Sequence, residues 1–132
     1  MDEKQESKGT LSMKEKAVSF LRLVASGKVR KAYSSHVGPG FCHHPPYFRG
    51  DANSLMLAME ENAAENPDKL FEAKRIIGDS EFVAVHSLVK QNKDDLGGVV
   101  VHIFRFQDDK IVELWDVGQP IPEDSPNENG VF

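Results

Sequence analysis

Two side chains that can move a proton lie on consecutive apolar segments near the carboxyl end of the chain. His102 lies within VVVHIFRF at 99–106 and Asp116 within IVELWDV at 111–117, and four polar residues separate the segments. Segments rich in Val, Ile, Phe and Trp around a polar turn are typical of an antiparallel β-hairpin. A carboxylate and an imidazole on one apolar face would form a general acid–base pair, because partial burial makes the carboxylate a stronger base.

The length of the turn decides whether the two groups meet. Successive side chains of a strand alternate between the faces of the sheet, so a shift of one residue moves a whole segment to the other face. A two-residue turn, Asp108-Asp109, would pair His102 with Trp115 and direct Asp116 away from it. A turn of three residues puts both groups on one face, so we predict the three-residue turn.

The three-residue turn can span 107–109 or 108–110, and the second choice also sets Arg105 opposite Glu113 as a cross-strand ion pair. The predicted pocket face then carries His102 and Asp116 together with Val100, Phe104, Phe106, Val112 and Leu114. The opposite face carries Val99, Val101, Ile103, Ile111, Trp115 and Val117. So much apolar surface on the outside of a sheet predicts a homodimer, with Trp115 in the dimer contact.

The composition excludes several classes of protein. A chain of 132 residues predicts one domain with a core of its own. The net charge of −5 argues against non-specific binding to nucleic acid or to an anionic membrane. The segment MDEKQESKGT is charged where a secretory signal would be apolar, and the single cysteine, Cys42, fits a reducing compartment. We therefore expect a cytoplasmic protein.

Ahead of the hairpin, the sequence predicts three helices, one short edge strand and two longer strands. These are a helix from residue 10 or 12 to 27, a helix at 28–35, an edge strand within 41–50, a helix from 51 or 53 to 67, and strands at 71–77 and 81–90. Helices on one face of a curved antiparallel sheet make an α+β domain that can leave a pocket on its concave face. We place that domain at 11–119, a polar tail at 1–10, and a proline-rich extension packed on the surface at 120–132.

This order of elements and three local patterns resemble the nuclear transport factor 2-like superfamily, and within it the SnoaL-like branch of polyketide-cyclase and aldol-condensation-type proteins. The patterns are FCHHPPYF at 41–48, VAVHSLV at 83–89 and VHIFRFQDDKIVELWDVGQPIPEDSPN at 101–127. The resemblance implies a cone-shaped sheet wrapped by three helices, a pocket in the cone, and commonly a dimer through the sheet. Two departures are visible, since prolines follow His44 where the family usually has His-Asn-Pro, and the turn lacks the glycine of Asp-Gly-Lys.

The resemblance also implies a role for the acidic residue of the pocket, which in SnoaL-like cyclases abstracts a proton next to a carbonyl group. Asp116 is the candidate base, with His102, His86 and His44 as acids or oxyanion partners. His43 and His44 are adjacent and must point to opposite sides of an extended segment, and by resemblance His44 points inward. The candidate pocket residues are Phe41, Tyr47, Phe104, Leu114 and Tyr33.

Each of these residues also has a structural interpretation. A lone histidine among apolar neighbours is usually a packed core residue, and Asp116 could simply pair with His102. The histidines at 44, 86 and 102 with Asp116 could hold zinc or iron, but they are far apart in sequence and lack the close spacing of a metal motif. We therefore predict no metal and no cofactor.

The sequence thus predicts a cofactor-free isomerase, cyclase or aldol-type lyase that acts on a small carbonyl compound. Carboxylates in an apolar pocket are sufficient for such chemistry in other enzymes. The alternative is a non-catalytic dimeric module of the same fold whose pocket only orients a small ligand. A deep cavity with His102 and Asp116 at its floor favours chemistry, whereas a filled one favours a structural role.

Overall fold

The computed structural model describes residues 11–132, so the predicted polar tail at 1–10 lies outside the described residues. The elements are α1 (Met13–Ala25), α2 (Val29–His36), β1 (Val37–His43), α3 (Ala52–Glu65), β2 (Leu70–Asp79), β3 (Phe82–Lys90), β4 (Gly98–Gln107) and β5 (Lys110–Pro120). Their order is the predicted one, but β1 begins earlier than expected. Within 11–132, the helices are too short or too polar to cross a membrane.

The five strands form one sheet in the order β1-β5-β4-β3-β2. Neighbours from β2 to β5 pair antiparallel, whereas β1 runs parallel to β5, so the sheet is mixed and not purely antiparallel. β1 lies at the edge, where Pro39 is tolerated although it lacks a backbone donor, and its register shifts between Val37 and Cys42. The α+β architecture is as predicted.

The register of the hairpin formed by β4 and β5 matches the prediction. His102 is paired with Asp116, and Arg105 is paired with Glu113. Arg105 Nε donates to Glu113 Oε1 at 2.9 Å, which is the expected cross-strand ion pair. The two groups that could exchange a proton therefore lie on one face of the sheet.

The turn that produces this register differs from the prediction. Gln107 pairs with Lys110, so the turn contains only Asp108-Asp109, whose φ angles of 52° and 64° are those of a type I′ turn. The register then shifts at the step from Arg105 to Phe106, opposite which β5 holds an extra residue, Val112. This β-bulge supplies the shift of one residue that the three-residue turn was expected to supply.

The three helices cover one face of the sheet, here called the inner face, and the opposite face is the outer face. A capping box fixes the start of α1, because Ser12 Oγ accepts from the Glu15 amide and the Glu15 carboxylate accepts from the Ser12 amide. The buried cluster between helices and sheet contains Ala17, Val18, Phe20, Leu21, Val29, Ala32, Tyr33, Phe41, Leu55, Val83, Val85, Phe104, Phe106, Ile111 and Leu114. Ile111 was expected on the outer face, but the bulge turns it into this core.

Candidate functional site

A cavity of about 270 Å³ lies between α1, α3 and the inner face of the sheet. Its lining is mostly apolar and consists of Leu21, Val24, Ala25, Phe48, Leu55, Ala58, Met59, Asn62, Lys69, Phe71, Val89, Val100, His102 and Asp116. Four of these side chains are polar. They are Asn62 on α3, Lys69 directly before β2, His102 on β4 and Asp116 on β5. A mostly apolar cavity with a few polar groups is the usual composition of a small-molecule site.

His102 and Asp116 are neighbours in this cavity because β4 and β5 pair them directly. The His102 Nδ1 atom is buried and has no hydrogen-bond partner within residues 11–132. A buried polar atom without a partner is costly unless something supplies its hydrogen bond. This nitrogen is therefore a natural contact for a polar group of a ligand.

Burial shifts the pKa values of the two groups in opposite directions. It lowers the pKa of His102 to about 4, and the nearby positive charge of Lys69 acts in the same direction. Burial raises the pKa of Asp116, although the charge of His43 partly opposes this effect. At neutral pH, His102 is a neutral imidazole with one donor and one acceptor nitrogen, and Asp116 is a stronger base than an exposed carboxylate.

Lys69 is a cavity residue that the sequence did not single out. Its Nζ donates to Asn62 Oδ1 on α3, and burial lowers the pKa of Lys69. The only local signal is its spacing, because Lys69 and Phe71 are two residues apart at the start of a strand and both line the cavity. Lys69 adds a positive charge beside the acid–base pair.

His86 does not line the cavity, so its predicted place in the pocket was wrong. The fully buried side chains of β3 are Val83, Val85 and Ser87, which places the alternate residue His86 on the outer face. There its Nδ1 lies 3.1 Å from Arg75 Nη1, and its ring centroid lies 5.3 Å from that of Phe132. The sequence predicted the strand correctly, but it did not predict which face of the strand the helices cover.

His43, the last residue of β1, and His44, which follows it, have the opposite orientations from those predicted. His43 is buried, and its Nε2 lies 3.1 Å from the Asp51 carbonyl oxygen. His44 is exposed on the outer side, where its Nε2 lies 2.7 Å from Glu113 Oε2. The reason is the parallel register with β5, which pairs His43 with the inner-face residue Leu114.

The five candidate pocket residues also lie outside the cavity. Tyr33, Phe41, Phe104 and Leu114 belong to the buried core, and Tyr47 is 88% exposed. Core aromatic rings fill the end of the inner face nearest the hairpin turn, as in the edge-to-face contact of Phe20 with Phe104. The cavity therefore lies toward the other end of the hairpin, beyond His102.

The alternative in which His44, His86 and His102 hold a metal ion together with Asp116 does not fit the structure. His102 and Asp116 lie on the inner face, whereas His44 and His86 lie on the outer face. A sheet separates the two pairs, so the four side chains cannot share one ion. The acid–base pair of the cavity is thus formed by His102 and Asp116 without the other two histidines.

Comparison with known proteins gives solved structures of the same shape at low sequence identity. No family model matches the chain, and no curated protein matches it in sequence. A nuclear transport factor 2-like protein of unknown function from Cytophaga hutchinsonii has a TM-score of 0.69 at 12% identity, covering 86% of this chain and 95% of that one. A SnoaL-like polyketide cyclase from Agrobacterium tumefaciens has a TM-score of 0.66 at 16% identity, covering 83% and 93%.

A third similar structure is a putative hydroxylase from Streptomyces galilaeus, with a TM-score of 0.60 at 24% identity, covering 82% of this chain and 91% of that one. These proteins share a layout of helices over one face of a sheet but differ in what their names say they do. Identities this low establish the fold alone. The chain has the fold of the nuclear transport factor 2-like proteins, which it shares with SnoaL-like polyketide cyclases, as its sequence predicted.

Proposed function

We propose that this protein is a SnoaL-like enzyme that acts on a small carbonyl compound by general acid–base catalysis, with Asp116 as the base. The observation that carries the proposal is the placement of Asp116 beside a neutral, partly unsatisfied His102 in an apolar cavity. The scheme requires no metal or cofactor. Isomerisation, cyclisation and the carbon–carbon bond-forming direction of an aldol-type lyase all begin with the same proton transfer.

In that step, the Asp116 carboxylate removes a proton from the carbon next to the carbonyl group. The electron pair of the broken C–H bond moves into the carbonyl, and negative charge develops on its oxygen. A neutral imidazole can stabilise this oxygen as a hydrogen-bond donor, as it does in a known isomerase. His102 has the required protonation state, and Lys69 adds a positive charge beside it.

The fate of the enolate distinguishes the reaction types. Return of the proton from Asp116 to another carbon gives an isomer, whereas attack of the enolate carbon on a second carbonyl forms a carbon–carbon bond. In the second case, the new alkoxide takes the proton that Asp116 holds. Both reactions balance without an oxidant or reductant, and both suit a cavity of about 270 Å³, which admits only a small substrate.

Exchange of α-protons tests the proposal without knowledge of the product. The protein is incubated with a panel of small ketones and 1,3-dicarbonyl compounds in D₂O, and proton NMR follows the loss of the α-proton signal. We expect exchange above the buffer rate for at least one compound, and Asp116→Asn should reduce it by at least about 100-fold. His86→Gln is the matched control, because it removes a histidine from the outer face and should retain the exchange.

Full exchange by Asp116→Asn would show that another group is the base. If no compound exchanges but some raise the melting temperature, the second candidate, a non-catalytic ligand-binding module, is favoured. The mostly apolar lining supports that candidate, because apolar walls can bind a ligand without chemistry.

We also propose that the protein forms a homodimer through the outer face of the sheet. Apolar side chains are exposed there, including Val117 at 66%, Ile77 at 62% and Phe82 at 40% exposure. Exposed apolar residues on one sheet face favour association. Light scattering coupled to size exclusion should give twice the monomer mass, and a monomer would contradict the proposal.

The cytoplasmic location stays a prediction.

A further inference from the structure

A second cluster of reactive side chains lies on the outer face, where β1 meets β5. The Cys42 Sγ atom, a ring nitrogen of His44 and a carboxylate oxygen of Glu113 all lie within 4.8 Å of one another. The parallel register pairs Cys42 directly with Glu113, and His44 follows at the end of β1. The sheet separates this cluster from the cavity, so the inference does not depend on the proposed function.

Two of the three donors are already held in place. The His44 ring stacks on Trp115, with ring centroids 5.0 Å apart and planes at 6°, and the His44 amide donates to the Leu114 carbonyl at 2.9 Å. Arg105 Nε occupies Glu113 Oε1, which leaves Oε2 directed at His44 Nε2 at 2.7 Å. Little side-chain freedom would therefore be lost if an ion replaced this hydrogen bond.

We propose that Cys42, His44 and Glu113 form a zinc-binding site with three protein donors and a fourth position open to water or another ligand. Thiolate sulfur, imidazole nitrogen and carboxylate oxygen are the donors that zinc prefers, at about 2.0–2.3 Å. Donors bound to one tetrahedral zinc lie roughly 3–4 Å apart, so small rotations of these side chains are sufficient. The soft thiolate selects against calcium and magnesium, which prefer oxygen donors.

Charge at the site favours a divalent cation once the thiol is ionised. Thiolate and carboxylate together outweigh the single positive charge of Arg105, which stays bound to the far carboxylate oxygen. In the free protein, burial and the neighbouring Glu113 raise the pKa of Cys42. Zinc must displace the thiol proton, so binding releases a proton and becomes tighter as the pH rises.

Cobalt titration of the reduced, chelator-treated full chain tests the site directly. Cobalt takes the place of zinc, and its bond to the thiolate gives a charge-transfer band in the near ultraviolet. We expect one cobalt per chain, this band, and quenching of the fluorescence of Trp115, which is the only tryptophan. Zinc added in equal amount should displace the cobalt and remove the band.

Variants then assign the donors. Cys42→Ser should abolish the band, and His44→Gln and Glu113→Gln should each weaken zinc binding by at least about tenfold in a competition assay with a chromophoric chelator. His86→Gln, a histidine on the same outer face but outside the cluster, is the matched control and should bind zinc like the wild type. Circular dichroism melts check that each variant is folded.

Alkylation gives a second readout that does not require loss of the cysteine. Cys42 is the only cysteine, so iodoacetamide labels one defined position. Zinc should slow this labelling in the wild type and in His86→Gln, but not in His44→Gln or Glu113→Gln. Less than one ion per chain, no thiolate band, or equal zinc binding by Cys42→Ser would overturn the proposal.

Discussion

His102 and Asp116 lie directly opposite each other on β4 and β5, and both side chains are partly buried in the wall of the cavity. Burial disfavours the charged form of each, so it lowers the pKa of His102 and raises that of Asp116. The same environment thus keeps the imidazole neutral and strengthens the carboxylate as a base. The two pKa shifts also make the free energy of unfolding depend on pH in opposite directions.

Asp116→Asn should make the protein more stable at neutral pH. A carboxyl group whose pKa is raised by folding binds its proton more tightly in the folded state, so its ionisation destabilises the fold as the pH rises above the ordinary pKa of 3.8. Asparagine has nearly the same shape and no charge to bury. We therefore expect Asp116→Asn to have a higher free energy of unfolding than the wild type at neutral pH.

Urea denaturation at neutral pH and at a pH below the ordinary pKa of the carboxyl group measures this effect. The gain should shrink in acid, where Asp116 is protonated in both states. An equal loss of stability at both pH values would instead mean that the carboxylate makes a structural contact. A stabilised variant that has lost proton exchange would be typical of a functional residue that is unfavourable for folding.

His102 should make the protein sensitive to mild acid. The pKa of His102 is lowered from 6.5 to about 4 on folding, so between these values the unfolded state binds a proton that the folded state does not. The free energy of unfolding therefore carries no penalty from His102 above about pH 6.5, and it falls as the pH decreases from 6.5 toward 4. The loss assigned to this one group has an upper limit of about 3 kcal/mol.

His102→Gln should flatten this part of the stability profile, as followed by urea denaturation at a series of pH values. His86→Gln is the control, because it removes a histidine from the outer face and should leave the acid limb in place. A wild-type profile that is flat between 6.5 and 4 would show that His102 becomes protonated in the folded state without strain.

The hairpin turn offers a stabilising substitution. Asp109 has a φ of 64°, in the left-handed region where a side chain costs free energy and glycine does not. Asp109→Gly should increase the free energy of unfolding by about 0.5–1 kcal/mol, because the second position of a type I′ turn favours glycine. The contact from Lys16 Nζ goes to the Asp109 backbone oxygen and is retained.

Chemical denaturation measures the change, and Asp94→Gly is a suitable control. Asp94 is an exposed loop aspartate that is absent from the positive-φ positions of residues 11–132, so glycine there should give no gain. Destabilisation by Asp109→Gly would indicate that the aspartate side chain itself contributes to the turn.

The hairpin also shows how far the sequence could predict the fold. Pairing of Arg105 with Glu113 identified the correct register, because opposite charges favour facing positions on neighbouring strands. The turn length could not be inferred in the same way, since a bulge and an odd turn produce the same register. Ile111 and Val112 are adjacent apolar residues that interrupt the alternation, and they are the only local sign of the bulge.

The positions of the other site residues depended on contacts between distant segments. Whether His43 or His44 faces inward is decided by the parallel pairing of β1 with β5, which no local pattern encodes. Whether His86 faces inward is decided by which side of β3 the helices cover. Element order predicted the fold, but the location of the cavity followed from side-chain packing in the core.

Lys69 provides the last test of the site, because its charge acts on His102. Burial is the main cause of the low pKa of His102, and the positive charge of Lys69 lowers it further. Lys69→Met removes that charge and keeps most of the side-chain volume, so the pKa of His102 should rise toward 6.5. NMR titration of the histidine side chains measures the shift, and Lys74→Met, which removes the lysine over the Phe132 ring, should leave the pKa of His102 unchanged.

If Lys69 also stabilises a developing enolate, Lys69→Met should slow α-proton exchange in the cavity while Lys74→Met does not. A shifted pKa with unchanged exchange would limit Lys69 to tuning His102, because a charge that stabilises the transition state must affect the rate.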